Sequence, residues 1–419
     1  MRSCFDIAIL GLNYLPEPTG IAPYTTGLAT GLTERGHRVT AHVAHPHYPQ
    51  WAISAGYGQW LRTDHSAGVK IQRRLHYVPR SPRGVRRLLS ELSFGARLVI
   101  ARWGRPSAVV AVSPSLFSTA FAALRISVKP RKPRLIIWVQ DIYTLGLEET
   151  GEGGGLAAWV TRRVEGATLR SADKVVVIHD RFADYLRNEL AVESRKIAVI
   201  RNWAHLPDRD VVDSSEAKSA LGWPVDTTLA VHTGNMGAKQ GLENIIEAAR
   251  LADAENAPVH FILVGDGSER QKLCELARGI SRLTFVGSLN DESYSLALSA
   301  ADILLVNEKP GVAAMAVPSK LTSYFHAGRP VVAATDSEGI SASEVFASGA
   351  GVVVPAGQPR LLLEKILAMR ENPEIMAEFG SNGRLYRQAI LGRDAAIQRW
   401  SELLTELLTA NDGGDDKTR

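Results

Sequence analysis

Two lysines sit where this chain could meet an anion. Lys320 ends the run VPSK (317–320), and LTSYFHAGRPVV (321–332) follows it. Ser319 is a good helix N-cap, and Gly328 stands where the helix it opens would stop. Such a helix presents backbone N–H groups and about half a positive charge to whatever precedes it. Lys320 adds a full charge at the same end. The chemistry that fits is the seating of a phosphate-bearing ligand, although an ordinary connection into the next strand has the same pattern. Lys239 lies in a second turn, within LAVHTGNMGAKQGLENIIEAA (229–249). There an apolar stretch meets a loop with Gly234, Gly237 and Gly241, and a helical stripe of Ile245, Ile246 and Ala249 follows from about Leu242. Glycines let backbone approach a ligand closely. The loop is neither G-x-G-x-x-G nor a Walker A sequence, so neither dinucleotide nor P-loop triphosphate binding follows. LVGDGSER (263–270) repeats the strand–glycine–helix order, with Gly265 at its turn.

These turns need strands and helices to hold them, and the chain supplies both in alternation. Ile7–Leu12 reads as a first strand and Ile21–Arg35 as a helix, stopped by Gly36. Val39–Ala44, Ala108–Val112, Leu135–Val139, Lys174–Ile178 and Ile197–Ile200 read as further strands. They are continuously apolar, as parallel strands buried on both faces must be. The order restarts at Leu229 and runs through Val259–Val264, Leu283–Val286, Ile303–Val306, Val331–Ala334 and Val352–Val354. Two successive βα series imply two doubly wound α/β domains. The linker falls at about 203–225, where Pro207, Pro224 and many charges interrupt the pattern, and 394–409 forms a last amphipathic helix.

Composition agrees. At 419 residues the chain is long enough for two domains, and 45% hydrophobic with 22% charged residues is ordinary for a globular protein. Cys4 and Cys274 are too few for a disulfide framework or a metal cluster, which fits a reducing compartment. No apolar run of about 18 residues occurs, and the N-terminus enters a strand without a signal-peptide core. These features predict a cytoplasmic protein.

The motifs taken together resemble a known family. GLNYLPEPTGIAPYTTGLATGLTERGHRVT (11–40), HPHYPQW (45–51), WVQDIY (138–143), ADKVVVI (172–178), RNW (201–203), HTGNMGAKQGLENIIEAA (232–249), LVGDGSER and PSKLTSYFHAGRPVVA (318–333) run in order over nearly the whole chain. The chain resembles the family 4 glycosyltransferases of the GT-B fold, in the exopolysaccharide type found in colanic-acid biosynthesis. The resemblance implies two Rossmann-like domains facing a central cleft, with residues 1–207 for the acceptor and 208–393 for the nucleotide sugar. It implies a crossover helix, 394–410, packing back on the N-domain, and a disordered tail, 411–419. It implies retaining transfer from a nucleotide-diphosphate sugar without a bound metal or other cofactor. Two departures stand out. The family's paired glutamates fall on Met315 and Ser323, and its phosphate-loop Arg and Lys fall on Asn235 and Gln240.

Transfer creates a cation-like sugar and a diphosphate leaving group, which needs positive charge aimed at it. Lys239 and Lys320 are the catalytic candidates for that charge, although each also fits an ordinary solvated lysine. The donor candidates are Gly20, Gly234, Asn235, Gly237, Gly265, Glu308, Lys309, Pro318, Ser319 and Ser323, with Glu344 a weaker one. Asp141 follows the strand LIIWVQ, where a carboxylate could orient an acceptor hydroxyl; a loop or N-cap aspartate is the plainer alternative. His45, His47 and Tyr48 follow another strand and suit an acceptor pocket; their spacing is poor for zinc.

Basic charge concentrates in 69–105 and 129–134. From Val85 to Trp103 an apolar stripe of Val85, Leu88, Leu89, Leu92, Ala96, Val99 and Trp103 runs at helical spacing, with Phe94 and Leu98 on the other side. With Arg87, Arg97 and Arg102 beside them, Phe94 and Leu98 are read as an outward face suited to an anionic membrane. A domain helix with a solvated basic face fits equally. Nothing indicates nucleic-acid binding, since aromatic residues do not interleave the arginines. The reading is thus a sugar transferase acting on a glycan or lipid-linked acceptor at the cytoplasmic membrane face. A GT-B-fold sugar-nucleotide epimerase and a noncatalytic sugar-nucleotide-binding partner of a polysaccharide assembly are the alternatives.

Overall fold

The structure is a computed structural model that describes residues 4–17, 20–80, 84–113, 115–145, 155–203, 212–311 and 319–409. The chain divides into two units, Met1–Trp203 with Arg393–Arg419, and Ala204–Gly392.

The first unit is built on β1 (Asp6–Gly11), α1 (Ala22–Glu34), β2 (Arg38–Ala44), β3 (Leu61–Ser66), β4 (Val69–Arg74), α2 (Val85–Val99), β5 (Ala108–Ser113), α3 (Leu116–Ser127), β6 (Arg134–Val139), α4 (Gly155–Arg170), β7 (Lys174–Val177), α5 (Asp180–Asn188) and β8 (Ile197–Val199). The sheet order is β3-β4-β2-β1-β5-β6-β7-β8, parallel except for the β3–β4 hairpin. The order reverses at β1, which lies between β2 and β5 with Ile7 beside both Val39 and Ala108. Ligands of such sheets bind at the strands' carboxyl ends beside that reversal. The apolar runs read as strands are strands. The β3–β4 hairpin escaped the sequence reading because β3, LRTDHS, is a polar edge strand with no apolar run.

The C-terminal helix, Arg393–Thr409, belongs to this unit. Trp400 is fully buried, its ring centroid 5.2 Å from that of Trp138, which stacks on Trp203 at 6.2 Å. α1 receives the helix at a glycine: a Cβ on Gly31 would lie 2.6 Å from Ile397 Cγ1. Arg393 also reaches Thr30 at 3.1 Å and Glu34 at 2.9 Å.

Helix α2 corrects an expectation. Phe94 is fully buried and Leu98 2% exposed, and both belong to the core rather than to an outward face. Arg87 and Arg97 are engaged as well: Arg87 Nε lies 3.6 Å from Glu91, and Arg97 stacks 3.4 Å over the Trp60 ring. The stripe of Val85, Leu89 and Val99 faces out instead. α2 is apolar on two sides, and the side carrying Gly95 packs, because there α3 approaches to put Ser118 Cα 3.0 Å from where a Cβ would sit.

The second unit comprises α6 (Ser214–Leu221), β9 (Thr228–Thr233), α7 (Glu243–Ala254), β10 (Val259–Val264), α8 (Arg270–Leu276), β11 (Leu283–Val286), α9 (Asp291–Ala300), β12 (Ile303–Asn307), α10 (Ser319–Ala327), β13 (Val331–Ala334), α11 (Ile340–Ser348), β14 (Gly351–Val354), α12 (Pro359–Arg370) and α13 (Pro373–Tyr386). Its sheet is parallel throughout, in the order β11-β10-β9-β12-β13-β14, and reverses at β9. Alternate residues feed two cores: Ala230, Phe261 and Leu305 on one face, Val231, Ile262 and Leu304 on the other. Part of the stretch read as linker is helical, since α6 is capped by the Asp213 side chain and ended by Gly222 at φ +66°.

Candidate active site

In the second unit the reversal point gathers the ends of β9 and β12 and the start of α10. His232, on β9, is fully buried. Its Nδ1 lies 3.1 Å from the Leu305 carbonyl, which fixes that nitrogen as the donor and leaves Nε2 a lone pair. Lys320 Nζ sits 3.4 Å from that Nε2. Burial pulls the lysine down to about 8, against the pull of the Glu308 charge. Burial, with the Lys320 charge adding to it, holds His232 far below its usual range. The pair is therefore a neutral imidazole accepting from a poorly solvated ammonium. Ser319 opens α10 as its first helical residue, and Gly328 ends it at φ +63°. Pro318 and Met315 lie outside the described residues, as does the Ser319 side chain.

The loop after β9 packs tightly on the β10 turn. Gly265 has φ +136°, and a Cβ there would collide with the Gly234 carbonyl, so the close crossing requires glycine. Lys320 Cε lies 3.7 Å from where a Gly234 Cβ would be. Gly234 and Asn235 are exposed, and Gly237 N–H donates to Gln240 Oε1 at 3.1 Å. Lys239 is exposed on a 3-10 turn, Ala238–Gln240, and its carbonyl accepts the Lys309 N–H at 2.9 Å. Asn307 braces the loop, donating to Gln240 O at 2.7 Å and Gly241 O at 2.8 Å.

Glu308 accepts hydrogen bonds from Thr335 Oγ1 and from Ser341 Oγ at 2.6 Å, so its carboxyl is held by its own unit. Ser323 faces inward and bonds Tyr294, whose hydroxyl lies 3.2 Å from Thr233 Oγ1; Tyr324 OH accepts the Thr233 N–H at 2.9 Å. Ser323 thus belongs to the frame that fixes the end of β9. Glu344 is 1% exposed and accepts from Tyr386 OH at 3.2 Å, a structural contact.

In the first unit a cavity of about 300 Å³ opens at the reversal point, lined among others by Asn13, Gly20, His47, Tyr48, Arg87 and Glu91. Glu17 organises it from the β1–α1 loop. Its Oε1 accepts the N–H groups of His47 at 2.8 Å and Tyr48 at 2.9 Å, while Oε2 accepts Asn13 Nδ2 at 2.9 Å. Gly20 lies against the Tyr48 ring. His45, grouped with His47 and Tyr48 in the sequence reading, is not among the lining residues; it is fully buried with Nε2 2.8 Å from the Gln59 carbonyl. Arg87, read as a membrane contact, lines the cavity instead.

Glu91 is the group the sequence reading missed. Burial pushes its carboxyl up to about 7, against the Arg87 charge and the Phe117 N–H, which it accepts at 3.2 Å. A lone acid inside a basic, apolar helix was the available signal. Asp141 stands exposed at the carboxyl end of β6, as expected, and its Oδ1 accepts the Ile142 N–H at 2.9 Å. Beside it Glu165 accepts from Tyr143 N–H at 2.8 Å and Thr144 N–H at 3.0 Å; burial raises it first, and the Asp141 charge adds to that. Among the described residues no three His, Cys, Asp or Glu side chains gather as a metal site.

The relatives of this chain share its architecture. Residues 19–203 match the glycosyl transferase 4-like domain, and 213–386 the glycosyl transferases group 1 domain. The putative colanic acid biosynthesis glycosyl transferase WcaI of Escherichia coli (strain K12) is 32% identical over 339 residues, covering 77% of this chain and 81% of that protein. The probable glycosyltransferase WbjE of Pseudomonas aeruginosa is 26% identical over 68% of this chain and 71% of its own length. Sucrose-phosphate synthase from Thermosynechococcus elongatus superposes with a TM-score of 0.69 at 18% identity, covering 97% of this chain and 99% of that one. Anabaena HepE, solved with UDP and glucose, superposes at 0.65 and 17% identity, covering 96% and 99%. With a curated relative this similar over most of both chains, and two α/β units of the shared fold, the chain belongs to the family 4 glycosyltransferases of the GT-B fold.

Proposed function

We propose that the chain moves a sugar, with retention and without a metal ion, from a nucleotide-diphosphate sugar to a glycan or lipid-linked acceptor in exopolysaccharide or cell-surface glycan synthesis. The observation that carries this reading is the Lys320 ammonium, seated at the opening of α10 beside Gly234 and braced by His232. A half-buried charge at a helix opening interacts more strongly than one in bulk water with a diphosphate as negative charge grows on the leaving oxygen. Lys239 and the exposed backbone of Gly234 and Asn235 supply further contacts to the phosphates. The solved complexes of HepE with UDP and with UDP-glucose support a nucleotide-sugar donor. WcaI, named for colanic acid biosynthesis, supports a role in building an exopolysaccharide, and WbjE, named a probable glycosyltransferase, supports the transfer itself. The acceptor belongs to the first unit, with Asp141 orienting its hydroxyl and His47 and Tyr48 lining its place.

The test is transfer from a panel of nucleotide sugars, with product anomers read by NMR. Retained configuration, full rate in EDTA, and an Asp141→Asn variant that loses transfer but keeps donor affinity are the expected results. Inversion, recovery only with added manganese or magnesium, or epimerisation of the donor without an acceptor would each overturn the corresponding part.

A further inference from the structure

We infer that the outward face of α2, together with the adjoining end of α3, docks on an anionic lipid surface. The inference rests on the lipid-linked acceptor proposed above. Four residues, Val85 (70% exposed), Leu89, Val99 and Ile100 (68% exposed), fall within an arc of about 100° at 3.6 residues per turn. They point away from the buried side formed by Ser90, Glu91, Phe94, Gly95 and Leu98. The end of α3 extends this surface. Arg125 Nη1 donates to the Leu98 carbonyl at 2.6 Å, which sets the two helix ends side by side, and Leu124 and Val128 there are 61% and 75% exposed. Trp103, just past α2, is clamped by Arg125 at 4.0 Å and Lys129 at 5.3 Å, so both ends are fixed.

The stretch of sequence that carries this face is strongly basic. Between residues 65 and 140 the sequence holds fifteen lysines and arginines and a single acid, Glu91, which is buried beside Arg87. Arg102, Arg105, Arg131 and Lys132 are exposed with no carboxylate within eight residues in sequence, and Arg86 is exposed in the turn before the buried Glu91. Exposed apolar side chains on a stretch rich in exposed cations match a bilayer interface, where the first enter the headgroup boundary and the second meet lipid phosphates. A second copy of the chain is a poorer occupant, because a two-fold contact would set this positive face against itself.

The test is sedimentation of the full chain with vesicles of phosphatidylcholine and phosphatidylglycerol in equal parts, and with phosphatidylcholine alone. The wild type is expected to pellet with the anionic vesicles at low salt and to be released at high salt. Val99→Ser/Ile100→Ser, and separately Arg131→Glu/Lys132→Glu, should each lower the partition about tenfold while thermal unfolding is unchanged. Wild type that stays in the supernatant, equal pelleting with neutral vesicles, or variants that partition like the wild type would overturn the docking face. Turnover of a short-chain, water-soluble acceptor separates the two readings. If that transfer fails while vesicle binding holds, the enzymatic reading is at fault and not the surface.

Discussion

Lys320 and Glu91 are two side chains whose surroundings alter their chemistry in a testable way. Lys320 has its folded value lowered by burial to about 8, so the free protein begins to lose this charge in the mildly alkaline range. A diphosphate favours the ammonium, so binding takes up a proton wherever the lysine is neutral beforehand. Affinity for a nucleoside diphosphate should therefore fall as pH rises through 8, approaching about tenfold per unit. Calorimetric titration across that range checks this. Lys320→Ala should weaken the diphosphate about tenfold or more, flatten the pH dependence and leave the bare nucleoside unchanged. A change under about twofold would remove Lys320 from the phosphate site. Glu91 shifts the other way, raised by burial to about 7 from 4.5. A carboxyl with a raised folded value holds its proton in the native state while the unfolded chain has released it. Stability is then full below the unfolded value and falls as pH rises toward 7, by about 3 kcal/mol in all. The difference in denaturant stability between Glu91→Gln and wild type, followed against pH, should grow over that window and level off above it. A flat difference would mean that Glu91 is ionised throughout.

At the scale of elements, the C-terminal helix is the one whose loss should matter most. It is distant in sequence from the sheet it completes, yet Ile397, Trp400 and Leu404 belong to that core and are nearly or fully buried. Emptying a site the size of a buried tryptophan costs about 3–5 kcal/mol, a large part of a domain's usual stability. A fragment ending at Trp203 should therefore fail to unfold cooperatively, while residues 204–392 fold alone on their own two cores. Circular dichroism melts of the two fragments decide it, and a cooperative transition in the first would demote the helix to an accessory. Helix α2 teaches the complementary point. It is apolar on both sides, so periodicity alone could not say which side packs. Gly95 decided it, by letting α3 come close.

Across the whole molecule the sequence by itself determined a great deal. The buried parallel strands were legible as continuous apolar runs, since a strand covered on both faces needs them. The strand–glycine–helix order marked the turns that follow β9 and β10, and Asp141 was placed at a strand end by the length of LIIWVQ. The local settings of Gly234 and Lys320, a glycine turn after a strand and the opening of a helix, were readable because each element carries its own signal. The rest was decided by tertiary structure. β3 is an exposed edge strand, where burial imposes no pattern. His232 meets Lys320 across 88 residues of chain, and Glu17 reaches His47 across 30. His45 and His47, two residues apart, have different surroundings, one pinned to Gln59 and the other lining the cavity. The outward face of α2 became apparent only once its neighbour was in place. A local sequence pattern encodes which elements form, because backbone geometry and burial act over a few residues. Which side chains meet is set by how those elements pack, and that depends on contacts spread over the whole chain.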